Sequence, residues 1–529
     1  MLILQGVTYR HPNKDLLFSQ LNLDIHKQQK CALIGNNGVG KSTLLKIISR
    51  DLLPSIGSVK TDSKPYVVPQ IFGQYNQFSI AKALQIEDQL QAFYAILEGN
   101  ATEENLAILN DDWTIEERCK AALTAWGLNV LDLFQKMHTL SGGQKTKVFL
   151  AGIAIHQPEI VLMDEPTNHL DVWSRTKLYH YLQTTTHTLL IVSHDRTLLK
   201  LITQVYELHN NGITAYGGNY DFYVEQKAIA KEALVHDLHN KEKLLRKAKE
   251  VEREATERQQ KLDARGKKKQ ERAGLSTIMM NTLRNKAEKS TSKMKGVHAE
   301  KLGQISQELT QLRTALPDRD QMKVSFDHST LHKGKIVIAA KGINFGFGDS
   351  LLWQQDLNFE LRSGERYVLE GKNGSGKTTL IKIILGQLAP KLGTLQRTDF
   401  RYLYIDQDYS LLNNTLTVYQ QAQQFNTGKL QEHEIKVRLS RFLFAQESWD
   451  KPCDALSGGE KMRLILCALT IGNKAPDLIV LDEPTNNLDI QNIEILTDAI
   501  NAYQGVLLMV AHDTYFLEQL KLRQSIVLA

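Results

Sequence analysis

Two stretches of the chain decide its fold: Gly35-Asn36-Asn37-Gly38-Val39-Gly40-Lys41-Ser42-Thr43 and Gly371-Lys372-Asn373-Gly374-Ser375-Gly376-Lys377-Thr378-Thr379. Each follows a short apolar run, Cys31-Ala-Leu-Ile34 in the first and Tyr367-Val-Leu369 in the second. Each leads into a helical pattern, Leu44-Leu-Lys-Ile-Ile48 and Leu380-Ile-Lys-Ile-Ile384. A G-x-x-x-x-G-K-[ST] loop between strand and helix turns backbone N–H groups at a helix N-terminus toward phosphate oxygens. Lys41 and Lys377 then neutralise β/γ-phosphate charge, and the Ser42 and Thr378 hydroxyls ligate Mg²⁺.

The repeat extends outward from these loops, and internal repetition settles the domain count. Leu140-Ser141-Gly142-Gly143-Gln144 recurs as Leu456-Ser457-Gly458-Gly459-Glu460. Ile160-Val-Leu-Met-Asp164-Glu165-Pro-Thr-Asn-His-Leu-Asp171 recurs as Ile479-Val-Leu-Asp482-Glu483-Pro-Thr-Asn-Asn-Leu-Asp489, one residue shorter at its apolar start. Val192-Ser-His194-Asp recurs as Val510-Ala-His512-Asp. Two copies of one α/β domain, each a mainly parallel sheet with crossover helices, are expected. The first copy carries extra residues between its lysine loop and its Ser-Gly-Gly element, expected within about 85–113.

Asp164 and Asp482 close apolar strands beside the phosphate loops, where a carboxylate holds Mg²⁺. Glu165 and Glu483 come next and are expected on the other face by strand alternation, free to orient and deprotonate an attacking water. Ser-Gly-Gly opening a helix is a second anion-binding N-terminus. One domain's own loop already serves its own phosphates, so each nucleotide is expected between one copy's lysine loop and the other copy's Ser-Gly-Gly.

Composition bounds the rest. With 529 residues, 42% hydrophobic and 23% charged, the chain is globular and too long for one core. Apolar runs such as Val506–Ala511 are strand-sized, so no membrane insertion is expected, and the N-terminus lacks a secretory pattern, so the chain is expected in the cytoplasm. Cys31, Cys119, Cys453 and Cys467 lack zinc-site spacing and are expected to be buried.

The segment 224–316 differs sharply. It holds 22 Lys/Arg and 13 Asp/Glu, a net of +9, whereas the whole chain carries +5. Arg258, Lys261, Arg265, Lys267, Lys268, Lys269, Arg272, Arg284, Lys286, Lys289, Lys293 and Lys295 face only three acidic residues in the same stretch. Leu302, Ile305, Leu309, Leu312 and Leu316 step as a helical seam, with Leu234, Leu238 and Leu245 as the matching arm. A long antiparallel helical hairpin with a basic far end that contacts a polyanion is expected. The domains then run 1–223, 224–316 and 317–529.

The motif set resembles the ATP-binding cassette superfamily: Walker A loops, LSGGQ signatures, Walker B strands with Glu165 and Glu483, D-loop Asp171 and Asp489, and switch histidines His194 and His512. The resemblance implies two P-loop NTPase cassettes binding ATP and Mg²⁺, with catalytic roles for Glu165, Glu483, His194 and His512. It implies that Gln70 and Gln407 are Q-loop glutamines touching Mg²⁺ and the attacking water. It places the adenine-stacking residue at Phe347 in Asn344-Phe-Gly-Phe and at His11 in Thr8-Tyr-Arg-His, with Tyr9 as the alternative in the first copy.

Tandem cassettes joined by a basic hairpin resemble the ABC-F family in particular. That resemblance implies a translation-associated ATPase which pairs its cassettes within one chain, so a monomer is expected. It also implies binding to the ribosome near the exit site, meeting rRNA and the P-site tRNA, either to relieve stalling or to dislodge ribosome-bound drugs. A DNA-binding ATPase and the ATP-binding subunit of a transporter are the competing readings. Fused transporter cassettes do not usually carry such a hairpin.

Overall fold

The computed structural model describes the chain except for residues 71, 273–295, 297–298, 313–330, 347, 349, 373, 473–474, 487, 523 and 529, together with the side chains of 259, 263 and 266–272. It divides into two compact units, Met1–Asp221 with Gln321–Ala529, and Phe222–Asp320. Both cassettes therefore belong to one unit.

In the first cassette the strands are β1 (Leu2–Arg10), β2 (Leu16–Ile25), β3 (Lys30–Ile34), β4 (Ile56–Thr61), β5 (Tyr66–Val68), β6 (Ile160–Asp164), β7 (Thr188–Val192), β8 (Gln204–His209) and β9 (Gly212–Tyr216). A three-stranded antiparallel sheet, β2-β1-β4, accompanies a six-stranded sheet in the order β5-β6-β7-β3-β8-β9. The latter is parallel except for β9. Strands β6 and β7 are buried at every position, which is why they read as continuous apolar runs rather than alternating ones.

The second cassette repeats this plan with β10 (Ile336–Asn344), β11 (Leu357–Arg362), β12 (Arg366–Glu370), β13 (Leu392–Arg397), β14 (Tyr402–Ile405), β15 (Leu478–Asp482), β16 (Val506–Val510) and β17 (Gln524–Val527). Its sheets are β11-β10-β13 and the all-parallel β14-β15-β16-β12-β17. Leu478 pairs with Val506 just as Ile160 pairs with Thr188. The two Walker B strands therefore have equal length, and the second begins at Leu478, not Ile479; aligning Ile160 with Ile479 makes it look shorter than it is.

Residues 85–113 of the first cassette hold two helices, Glu87–Leu97 and Glu103–Leu109. The β-bridges Ser79–Lys136 and Thr417–Pro452 mark equivalent points in the two copies. All four cysteines are free and buried, and burial pushes the Cys31 and Cys467 thiols up to about 12.

The long helix of the second unit begins at Tyr220 and runs to Arg272, and residues 299–312 are helical as well. Leu234, Leu238 and Leu245 are half-buried on the first arm, as are Leu302, Ile305 and Leu312 on the second, where Leu309 is fully buried. Lys241 pairs with Glu308 across the arms. Leu316 and most of the basic far end lie outside the described residues.

Trp353 illustrates how packing supports the site. It is 2% exposed in the core beneath the second phosphate loop, and its indole N–H donates to the Ser375 carbonyl at 2.9 Å. Trp353→Ala should therefore cost about 3–5 kcal/mol in denaturant unfolding of the second cassette. A loss below about 1 kcal/mol would contradict this placement.

Candidate active sites

The first phosphate loop connects β3 to helix α1 (Lys41–Ile48). Gly40 at its end has φ 102°, and a Cβ there would lie 2.8 Å from both Leu17 and Phe18. Both the backbone region and the space exclude a larger residue. Lys41 is 8% exposed and donates to the Gly35 and Asn36 carbonyls at 2.7 and 3.1 Å. Lys377 makes the same pair of bonds to Gly371 and Lys372, at 2.8 and 3.1 Å. Asn373 of the second loop lies outside the described residues.

At each loop a hydroxyl meets the Walker B aspartate. Ser42 hydrogen-bonds Asp164, and Thr378 Oγ1 donates to Asp482 Oδ2 at 3.4 Å. Burial raises the pKa of both aspartates, that of Asp482 to about 6 with the Glu483 charge adding to the effect. Asp164 Oδ1 is buried with no hydrogen-bond partner among the described groups. An oxygen-only set with an unsatisfied buried carboxylate oxygen fits a hard divalent cation.

Glu165 and Glu483 do not sit where strand alternation would place them. The strands end at Asp164 and Asp482, and both glutamates adopt left-handed backbone, φ 49° and 50°. Their amides donate to the Val192 and Val510 carbonyls at 2.8 Å. A sharp left-handed turn held by the neighbouring strand thus sets the carboxylate direction, at the cost of about 1 kcal/mol or more of backbone strain each.

His194 Nε2 lies 3.3 Å from Glu165 Oε1, and the His194 amide donates to Glu165 Oε2 at 3.3 Å. His512 Nε2 lies 3.5 Å from Glu483 Oε1. Burial drives His194 well below its ordinary pKa, so its imidazole is neutral at neutral pH. The two glutamates differ. Burial pushes Glu165 up to about 8. It pushes Glu483 up too, but contact with His512, a hydrogen bond from Asn486 Nδ2 at 2.5 Å and the Lys377 charge outweigh it, leaving Glu483 below its usual range.

The Ser-Gly-Gly elements open helices α2 (Gly142–His156) and α3 (Gly458–Ile471). Both carry a capping box. Ser141 Oγ accepts from the Gln144 amide while Gln144 Oε1 accepts from the Ser141 amide, and Ser457 and Glu460 do the same. The Gln144 and Glu460 side chains are therefore engaged in their own helix, as are the serine hydroxyls, and Ser141, Gly142, Gly143, Ser457 and Gly458 line the clefts.

Those clefts are composite. One cavity of about 850 Å³ brings Lys41, Ser42, Thr43, Gln70, Asp164, Glu165 and His194 together with Ser457, Gly458 and Lys461 of the second cassette. The other, about 380 Å³, joins Lys377, Thr378, Thr379, Gln407, Asp482 and Glu483 to Ser141, Gly142 and Gly143 of the first. The D-loops cross as well: Asp489 Oδ2 accepts from the Asn37 amide at 2.9 Å, and the Asp171 charge acts on Lys377.

His11 lines the first cavity, whereas Tyr9 and Phe345 pack against their cassette cores. Phe347 lies outside the described residues. Among the candidate polyanion contacts, Arg258, Lys261 and Arg265 are exposed on the long helix. His169 lines both cavities. Sequence reasoning gives it no role, although it sits in the quoted stretch between Glu165 and Asp171.

Two parallel-sheet nucleotide-binding domains that each complete the other's phosphate site define a tandem ATP-binding cassette protein. A family model described as "ABC transporter" matches residues 18–168 and 354–486. The chain is similar to the probable ATP-binding protein YbiT of Escherichia coli O157:H7, 29% identical over 99% of this chain and 95% of the relative. It is also similar to ABC transporter F family member 5 of Arabidopsis thaliana, 30% identical over 94% of this chain and 70% of the relative. The ribosome protection protein VmlR of Bacillus subtilis is 28% identical over 98% of this chain and 85% of its own length. Among solved structures, the archaeal ribosome recycling factor aABCE1 in complex with ribosomal stalk protein aP1 shares the fold, with a TM-score of 0.60 at 18% identity over 99% of this chain and 87% of that one. The chain belongs to the ATP-binding cassette family, among the tandem-cassette ABC-F proteins.

An ion pair between a buried arginine and a half-buried glutamate joins the cassettes beside the sites. Arg196, two residues after His194, meets Glu494 at 2.8 Å and lies 4.7 Å over the Tyr515 ring. A double-mutant cycle of Arg196→Ala and Glu494→Ala, read by thermal unfolding, should give a coupling of about 1–2 kcal/mol. Additive effects would contradict the pairing.

Proposed function

We propose that this protein is a cytoplasmic, monomeric ATPase that binds the ribosome near its exit site. There it uses ATP binding and hydrolysis to modulate translation, by relieving stalled ribosomes or displacing ribosome-bound drugs. The observation that carries the ATPase part is the pairing of each lysine loop and glutamate with the opposite cassette's Ser-Gly-Gly in one cavity. ATP bound in that cavity ties the cassettes together, and its hydrolysis removes the tie.

In each site the lysine and the loop amides bind the β- and γ-phosphates, and the signature serine and glycines hold the γ-phosphate from the other side. Ser42, Asp164 and Gln70, and likewise Thr378, Asp482 and Gln407, would hold Mg²⁺, which neutralises phosphate charge when bound. Glu165 or Glu483 orients a water and takes its proton as the water oxygen bonds to the γ-phosphorus and the bond to the ADP oxygen breaks. His194 and His512 hold the carboxylate and the γ-phosphate side of the site in register. The products are ADP and inorganic phosphate.

The ribosome part is supported by the basic hairpin and by the company the chain keeps, including a relative described as a ribosome protection protein. No helix among the described residues is long and apolar enough to cross a membrane. The hairpin's charge suits rRNA and the P-site tRNA, both phosphate-rich surfaces.

The Glu165→Gln, Glu483→Gln double variant should abolish turnover while retaining ATP, and should co-sediment with purified ribosomes only when ATP is present. Failure to pellet while ATP still closes the cassettes would overturn the ribosome reading and favour DNA. Full turnover would overturn the assignment of the glutamates. Neutralising Lys267, Lys268, Lys269 and Arg272 should reduce the log–log salt slope of ribosome binding by roughly one for each phosphate no longer neutralised. An unchanged slope would remove the hairpin as the binding element.

A further inference from the structure

Only two of the residues lining the described nucleotide cavities line both, Gln407 and His169. Gln407 has a place in the reaction already; His169 has none. It lies in the turn between Glu165 and Asp171 of the first cassette, with left-handed backbone at φ 62°. Its ring packs on the first signature turn: a Cβ added to Gly142 would lie 3.3 Å from the imidazole Cγ. Gly142 lines the second cavity together with Lys377. His169 also interacts electrostatically with Glu483, which lines that cavity as well.

An imidazole of the first cassette thus stands in the hydrolytic centre of the second, between the turn that would grip the γ-phosphate and the carboxylate that would activate water. A neutral imidazole offers one donor and one acceptor, enough to bridge a water to a carboxylate or a phosphate oxygen. Burial lowers the His169 pKa, which favours the neutral ring. At the corresponding place in the second cassette the sequence has Asn487. An amide therefore replaces the ring in the repeat that would serve the first site.

We propose that His169 is a positioning residue supplied in trans for ATP hydrolysis at the second site, where it orients Glu483 and the attacking water. This makes the two sites chemically unequal. The proposal rests on the ATPase reading above and goes beyond it by assigning a residue and an asymmetry.

The test uses the full chain with one site silenced at a time. His169→Gly removes the ring and suits the left-handed backbone, while His169→Asn keeps a polar group that also tolerates that conformation. In a Glu165→Gln chain, where only the second site turns over, His169→Gly should lower kcat about tenfold to a hundredfold with KM changed less than about twofold. His169→Asn should recover part of that loss. In a Glu483→Gln chain, where only the first site turns over, His169→Gly should lower kcat at least about fivefold less than it does in the Glu165→Gln chain. Equal losses in both backgrounds, or no loss in the Glu165→Gln chain, would overturn the proposal while leaving the ATPase reading intact. Parental turnover in the Glu165→Gln, Glu483→Gln chain would overturn both.

Discussion

The Asn37 amide and the Asp489 carboxylate, 2.9 Å apart, tie the phosphate loop of one cassette to the D-loop of the other. Much of the molecule follows from the constraint this bond expresses. The cavity around each phosphate loop also contains the opposite cassette's signature turn, so a second helix N-terminus is available to the same triphosphate. Within a cassette the signature helix opens toward the partner's nucleotide cavity, so two cassettes must face each other head to tail. Arg196 with Glu494, and the guanidinium of Arg196 over Tyr515, hold the same interface a few residues beyond the switch histidine. Such contacts are made only when the cassettes meet.

The two sites are copies in sequence and unequal in physics. Tyr404 donates to Asp482 at 3.3 Å, whereas strand pairing puts Val67 at the matching place in the first cassette, and valine offers Asp164 no hydroxyl from there. Glu483 is held low by Asn486, His512 and Lys377, while burial leaves Glu165 near 8. A carboxylate that stays ionised is ready to accept a proton from water. Small differences of packing thus separate two sites whose motifs are nearly identical.

The tandem α/β fold was legible because its punctuation is local. A glycine loop with lysine, and strands buried on both faces, leave patterns that survive without tertiary information. Thus Cys31–Ile34 falls within β3, and Leu44–Ile48 within α1. The direction of Glu165 and Glu483 was not legible, because period-two alternation applies only inside a strand and both residues sit one step past its end in left-handed turns. The equal length of the two Walker B strands was hidden because Leu478 and Ile479 are interchangeable as apolar residues; only the pairing with Val506 fixes the register. Gln144 and Glu460 match a motif whose letters are shared by two physical uses, phosphate contact and helix capping, and the capping box is the one the hydrogen bonds record. His169 escaped notice because its chemistry depends on the other cassette's Glu483, more than 300 positions away.

In the proposed head-to-tail sites each nucleotide is held by the opposite cassette's signature serine. ATP turnover tests this in a Glu483→Gln chain, where only the first site hydrolyses, carrying either Ser457→Arg or Ser141→Arg. Head-to-tail pairing predicts that Ser457→Arg abolishes turnover while Ser141→Arg leaves it within about twofold. Loss with Ser141→Arg and retention with Ser457→Arg would rule out head-to-tail pairing.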